Sequence, residues 1–183
     1  MDRDAVEQAH EIYFNVIVAH GSDDQPWTTT QRNELRRALA LLEPLDASGD
    51  LGPDGIQLMA SLCLELGNDE REEHILHAGL ERYPTSAGLH ADIGAAYANI
   101  EKWPAAIAHL AAAVLINVDE PDEHWAMAAS QLVDALLECG DEERAHVVRR
   151  WALDRCTDDK SRSWLADSEP DDAARDDAAA SDH

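Results

Sequence analysis

The sequence predicts an all-α protein assembled from successive helical hairpins, and three observations carry that expectation. Apolar residues recur at spacings of three and four along much of the chain, the period of a helix with one buried face. No stretch sustains the apolar–polar alternation of a half-buried strand. The chain also resembles itself at a fixed offset: setting Gly67 against Glu101 gives a period of 34 residues and places one segment at residues 53–86 and the next at 87–120. A unit of that length cannot bury its apolar face alone and must stack on its neighbours.

Residues 1–52 read as an amino-terminal helical pair and a linker. Residues 5–19 align Val6, Ala9, Tyr13, Val16 and Ile17 on one stripe, and the run Gly21-Ser22-Asp23-Asp24 stops it. Thr30 is placed to cap a second helix, whose apolar residues Leu35, Ala38, Leu39 and Leu42 recur at three and four before Pro44 is expected to end it. Residues 46–55 hold three glycines and a proline and read as the linker. The segment 53–86 offers Met59-Ala60, Cys63, a turn at Gly67, Leu76, Gly79-Leu80 and Pro84. The segment 87–120 offers Ile93-Gly94, Tyr97, Trp103, Ala106-Ile107, Leu110 and Ala113-Val114. A third copy, residues 126–156, is registered by Gly140-Asp141 and carries Leu132-Val133, Leu136, Ala145 and Ala152. Residues 121–125 are then a five-residue insertion, expected to extend the first helix of this copy or the loop before it.

The order of large, small and aromatic residues in 87–120 resembles the tetratricopeptide repeat (TPR), with Ile93, Gly94, Tyr97, Ala106, Leu110 and Ala113 on its six defining positions. The resemblance implies helical-hairpin repeats stacked into a short right-handed solenoid over residues 53–156. It also implies small residues where helices approach closely, Gly94 and Ala106, and large ones such as Tyr97 and Leu110 filling the remaining space. Two residues depart from the pattern: Glu72 stands where a small residue is expected, and Arg149 where a large apolar one is. In TPR proteins the first helix of each repeat lines a concave surface. Carried over by register, that surface takes Asp54, Gln57, Ser61, Leu64 and Glu65; then Gly88, Ala91, Ala95, Ala98 and Asn99; then Met127, Ser130, Asp134, Leu137 and Glu138. Small central residues flanked by Leu64 and Leu137 and by acids suit an apolar peptide or helix with basic or neutral polar flanks. One TPR subtype grips the carboxylate tail of heat-shock chaperones with Lys and Asn. The pairs Gln57/Ser61, Ala91/Ala95 and Ser130/Asp134 stand at those positions here and disfavour that activity. The run Leu115-Ile116-Asn117-Val118-Asp119-Glu120-Pro121, followed by Ala128-Ala129, is similar to a repeat junction in class II translocator chaperones of type III secretion, although the insertion at 121–125 departs from their spacing.

Charge narrows the partners. The 183 residues carry 14 Lys and Arg against 38 Asp and Glu, a formal net charge of −24. Phosphate recognition rests on Lys and Arg, so neither nucleic acid nor an anionic membrane is an expected partner. Residues 157–183 hold nine acids and three bases and read as an acidic, mostly disordered tail whose pair Trp164-Leu165 can dock as a short cap. The remaining body is itself at −18, which suits either a solvated surface in a salty compartment or a protein partner with basic segments. The longest apolar runs, such as 111–116, fall far short of the roughly 20 residues of a bilayer span. No secretory signal is visible, and Cys63, Cys139 and Cys156 show no paired spacing, so the expected location is the reducing cytoplasm.

Motifs for chemistry are weak. His74 and His77 lie at i, i+3 beside Glu72 and Glu73 but in the register of a solvated helix face. Gly49, Gly52 and Gly55 follow no strand, lead to no G-K-S/T, and lie among aspartates that repel phosphate. No G-x-S-x-G occurs, and the three cysteines fall at packing or helix-end positions. The expectation is therefore a non-enzymatic protein–protein interaction module, an adaptor or small chaperone, with no cofactor, metal or catalytic residue. The alternative is an acidic inhibitor or antitoxin-like protein that covers a basic surface of its target.

Overall fold

The computed structural model describes residues 3–21, 26–119 and 121–167, and every regular element among them is an α-helix. In chain order these are α1 (Arg3–His20), α2 (Thr29–Ser48), α3 (Pro53–Glu65), α4 (Asp69–Arg82), α5 (Ala87–Asn99), α6 (Trp103–Ile116), α7 (Glu123–Glu138), α8 (Glu142–Leu153) and α9 (Asp159–Asp167). They form two compact units, Met1–Ile93 and Gly94–His183, with the boundary inside α5.

In the first unit, α1 buries Ala9 and Val16 and packs on α2. The His20 ring at the end of α1 stacks on the Trp27 ring just before α2, with centroids 3.7 Å apart. The cap of α2 is Thr28, not Thr30. The Thr28 side chain accepts from the Gln31 amide at 3.2 Å while Gln31 Oε1 accepts from the Thr28 amide at 3.0 Å. This reciprocal box requires a Gln three residues on, which Thr28 has and Thr30 lacks. Pro44 does not end α2 either. It sits on the exposed side of the helix, as does Ala40, the residue whose carbonyl loses its amide partner there, and the helix runs on to Ser48. Gly49, at φ 79°, stops it, and the amides of Asp50 and Leu51 close onto the Leu45 carbonyl at 2.9 and 3.2 Å. The linker thus shrinks to residues 49–52, and one of them, Leu51, is fully buried. Arg71 of α4 reaches Glu43 and Arg82 reaches Asp46, each at 2.7 Å, tying α4 to α2.

The three aligned turn residues share one backbone state. Gly67, Glu101 and Gly140 have φ of 72°, 57° and 79°. The left-handed region suits glycine and strains Glu101. The small residues lie at close approaches: a Cβ on Gly79 of α4 would stand 2.7 Å from Ile56 Cγ2 of α3, and one on Gly94 of α5 would stand 2.6 Å from Leu110 Cγ of α6.

In the second unit, the insertion forms the cap and opening turn of α7. The Asp122 carboxylate accepts from the Trp125 amide at 2.8 Å, and the buried Trp125 indole donates to the Val114 carbonyl near the end of α6, also at 2.8 Å. Residues 159–167 of the expected tail are helical: α9 packs on α7 and, less extensively, on α8, with Leu165 fully buried. The expectation for residues 168–183 lies outside the described residues. Arg149, the departure from the apolar pattern, donates from Nε to the Leu165 carbonyl at 2.7 Å and from a terminal nitrogen to the Ala166 carbonyl at 3.1 Å. Arg162 of α9 donates in turn to the carbonyls of Leu153 and Cys156, at 3.0 and 3.3 Å, just past the end of α8. Each helix thereby supplies a cation to the otherwise unpaired carbonyls at the other's carboxyl end.

Two outcomes test these packing arguments in denaturant unfolding. Gly94→Leu should cost about 1–3 kcal/mol by overpacking Leu110, whereas Asn117→Ala, at an exposed position, should be near neutral. Glu101→Gly should stabilise by about 0.5–1 kcal/mol, because relief of the left-handed strain exceeds the entropy lost by glycine.

Candidate protein-binding surface

On α3, Gly55, Ile56, Leu58, Met59, Ala60, Leu62 and Cys63 are buried. Asp54, Gln57, Ser61, Leu64 and Glu65 are not, and their spacing of three and four gathers them on one face. Gln57 and Ser61 are held by the chain itself. Gln57 Nε2 donates to Asp92 Oδ2 of α5 at 2.9 Å. Ser61 shares a side-chain hydrogen bond with Tyr13 of α1, whose phenol is pushed up from its ordinary pKa chiefly by burial and then by the negative charge of Glu65. Leu64 is 45% exposed, and Ala91 on α5 is half-buried.

In the second unit Ala95 is half-buried and Asn99 exposed on α5. On α7, Met127 is 40% exposed, and Asp134 and Glu138 are exposed at spacings of seven and four along the same stripe. Ser130 and Leu137 lie half-buried at its edge, where Ser130 Oγ donates to the Trp164 carbonyl of α9 at 3.0 Å. Sequence reasoning therefore missed Tyr13, Asp92 and Trp164, each of which engages a predicted surface residue. For Asp92 a signal was present, since it lies 35 residues beyond Gln57, about one repeat period, and the period brings such positions on neighbouring first helices together.

The thiols of Cys63 and Cys156 are raised, mainly by burial, which keeps them protonated and poor nucleophiles. Cys139 occupies a helix-end position, exposed at the carboxyl cap of α7. His74 is exposed, and His77 lies 4.0 Å from Glu73. A cleft of about 540 Å³ between α1 and α2 is lined by Glu11, Ile12, Asn15, Glu34 and Arg37 among others, and by none of the predicted surface residues. Among the described residues no helix is long and apolar enough to cross a membrane.

No family model and no curated protein matches the chain. Among solved structures it is similar to one described as the crystal structure of the APC/C hetero-tetramer Cut9-Hcn1, a TPR-repeat protein, with a TM-score of 0.51 at 14% identity. The fold is that of the tetratricopeptide repeat. The match covers 76% of this chain and 32% of that one, so this chain spans about a third of the length of its structural neighbour. Within the TPR-like framework, Glu72 occupies the position of a small residue on α4 and is half-buried. Burial first, and then the charges of Asp69 and Asp92, push its carboxyl up.

A raised carboxyl pKa means that the native state binds the proton more tightly than the unfolded chain does. Its contribution to stability is fully present below the ordinary glutamate range and is lost as pH rises through the elevated value. Glu72→Gln should therefore melt above the parent protein at neutral pH, and the difference should shrink toward zero as pH falls to about 4.

Proposed function

We propose that the first helices of the repeats bind a segment of another protein carrying apolar side chains next to basic ones. The observation that carries this reading is the exposed stripe of α7, where Met127 shares one helix face with Asp134 and Glu138. The α3 face supports it with the same chemistry, an exposed Leu64 next to Glu65, with Asp54 at the opposite end of the helix. Apolar contact at Leu64, Met127 and Leu137 supplies affinity that salt does not weaken, at roughly 25 cal/mol per Å² of area removed from water. The carboxylates attract basic flanks over about 8–10 Å near physiological salt and act mainly on association. Ala91 and Ala95 leave room for a ligand's side chains. The role is non-enzymatic, that of an adaptor or small chaperone in a reducing, cytoplasmic setting, and the TPR-like scaffold agrees with a protein partner.

The second reading, an acidic inhibitor of a basic target, draws on the exposed Asp69, Glu70 and Glu73 in the opening turns of α4. Acids there also favour the helix amino terminus without any partner. Panning a displayed library of short random peptides on the full chain separates the two. Selected peptides should combine apolar and basic residues. Asp134→Asn with Glu138→Gln should slow their association and flatten its salt dependence, and Ala95→Trp should abolish or strongly weaken binding. Unchanged binding by Ala95→Trp would overturn the reading, and loss on neutralising Asp69, Glu70 and Glu73 instead would favour the inhibitor.

A further inference from the structure

In a chain at −24, α6 stands apart: alone among the described helices it contains no Asp, Glu, Lys or Arg. Its buried side is accounted for by Ala106, Leu110, Ala113 and Val114. The opposite side is also apolar, with Pro104, Ala108, Ala111 and Leu115 at spacings of four, three and four on one stripe. Pro104 and Ala108 are exposed, Ala111 is half-buried, and Leu115 is 65% exposed. Helices that are apolar all round are ordinarily covered on every side.

We propose that this stripe is a self-association surface whose occupant is α6 of a second copy of the chain, antiparallel across a two-fold axis. Three features select that occupant. Two bodies of like charge repel, and among the described helices α6 is the one through which they can meet without burying acids. The stripe is self-complementary when antiparallel. With the axis between Ala108 and Ala111, the bulky Leu115 of each copy lies over the flat end formed by the partner's Pro104, and the alanines allow close approach at the centre. The ends are complementary as well. The same register, at 1.5 Å of rise per residue, brings the exposed Lys102 at the amino end of α6, now over the Tyr97 ring at 5.6 Å, within reach of the partner's Asp119 just past the carboxyl end. The basic-flanked ligand proposed for the first-helix faces has no acid stripe to meet here.

Sedimentation velocity of the full chain over a range of concentration and salt tests this surface. A reversible dimer is expected, and it should strengthen with salt as repulsion between the acidic bodies is screened. Ala108→Glu, at an exposed position that leaves the helical circular dichroism unchanged, should weaken the dimer at least about tenfold, since the two-fold axis brings two carboxylates together in an apolar contact. Lys102→Glu should weaken it by severalfold, and adding Asp119→Lys should restore it. A monomer at every concentration and salt, a dimer indifferent to Ala108→Glu, or a charge swap without rescue would each overturn the proposal.

Discussion

The close approach of the two helices within a hairpin is the constraint on which the rest of the structure depends. It is set by residues with almost no side chain. Gly79 lies under Ile56, and Gly94 under Leu110, at distances that leave no room for a methyl group. Ala106 and Ala145, at the matching small position of the second helix, are 0% and 1% exposed. Once the backbones are this close, Ile56 and Leu110 are enclosed and the rotation of each first helix is fixed by what it must bury. The rest of each helix follows as a consequence: Leu64 on α3 and Met127, Asp134 and Glu138 on α7 are left exposed, while Gln57 and Ser61 meet side chains of neighbouring helices. The candidate binding surface is the complement of the core, not a separately built feature.

Charge is distributed by the same logic. Six of the 14 basic residues fall between positions 144 and 162, where a binding site for an anion could be imagined. Arg149 and Arg162 instead donate to the carbonyls at each other's helix ends, and Arg155 stacks over the Trp151 ring at 4.3 Å. Helix termini leave carbonyls that need donors, and a helix of nine residues has little apolar area with which to hold itself down. The arginines solve both problems. They also explain how a short segment of acidic composition folds onto α7 at all.

The fold was legible because its signals are local and periodic. Aligning Gly67, Glu101 and Gly140 located three turns that share a positive φ, and the recurrence of small residues located the helix crossings. The errors arose where the deciding partner lies elsewhere or where two local signals compete. Pro44 reads as a stop, yet a helix tolerates it on its exposed side. Thr30 and Thr28 both offer hydroxyls, and Gln31 decides between them. Arg149 breaks the repeat pattern because its partners lie 16 and 17 residues away on a helix that the repeat does not include. The candidate surface was legible to the same depth. Periodicity identifies which positions of α3 are not buried. It does not reveal that Tyr13, Asp92 and Trp164 engage Ser61, Gln57 and Ser130, because those contacts depend on how neighbouring helices are placed.

The most direct measurement of whether the outward face of the first helices is the working surface is amide hydrogen exchange of the full chain, with and without a selected peptide of apolar and basic residues. Binding there predicts slowed exchange concentrated in α3, α5 and α7, with α4 and α8 unchanged. Slowed exchange confined to α4 and α8, with α3 and α7 exchanging as in the free protein, would contradict it.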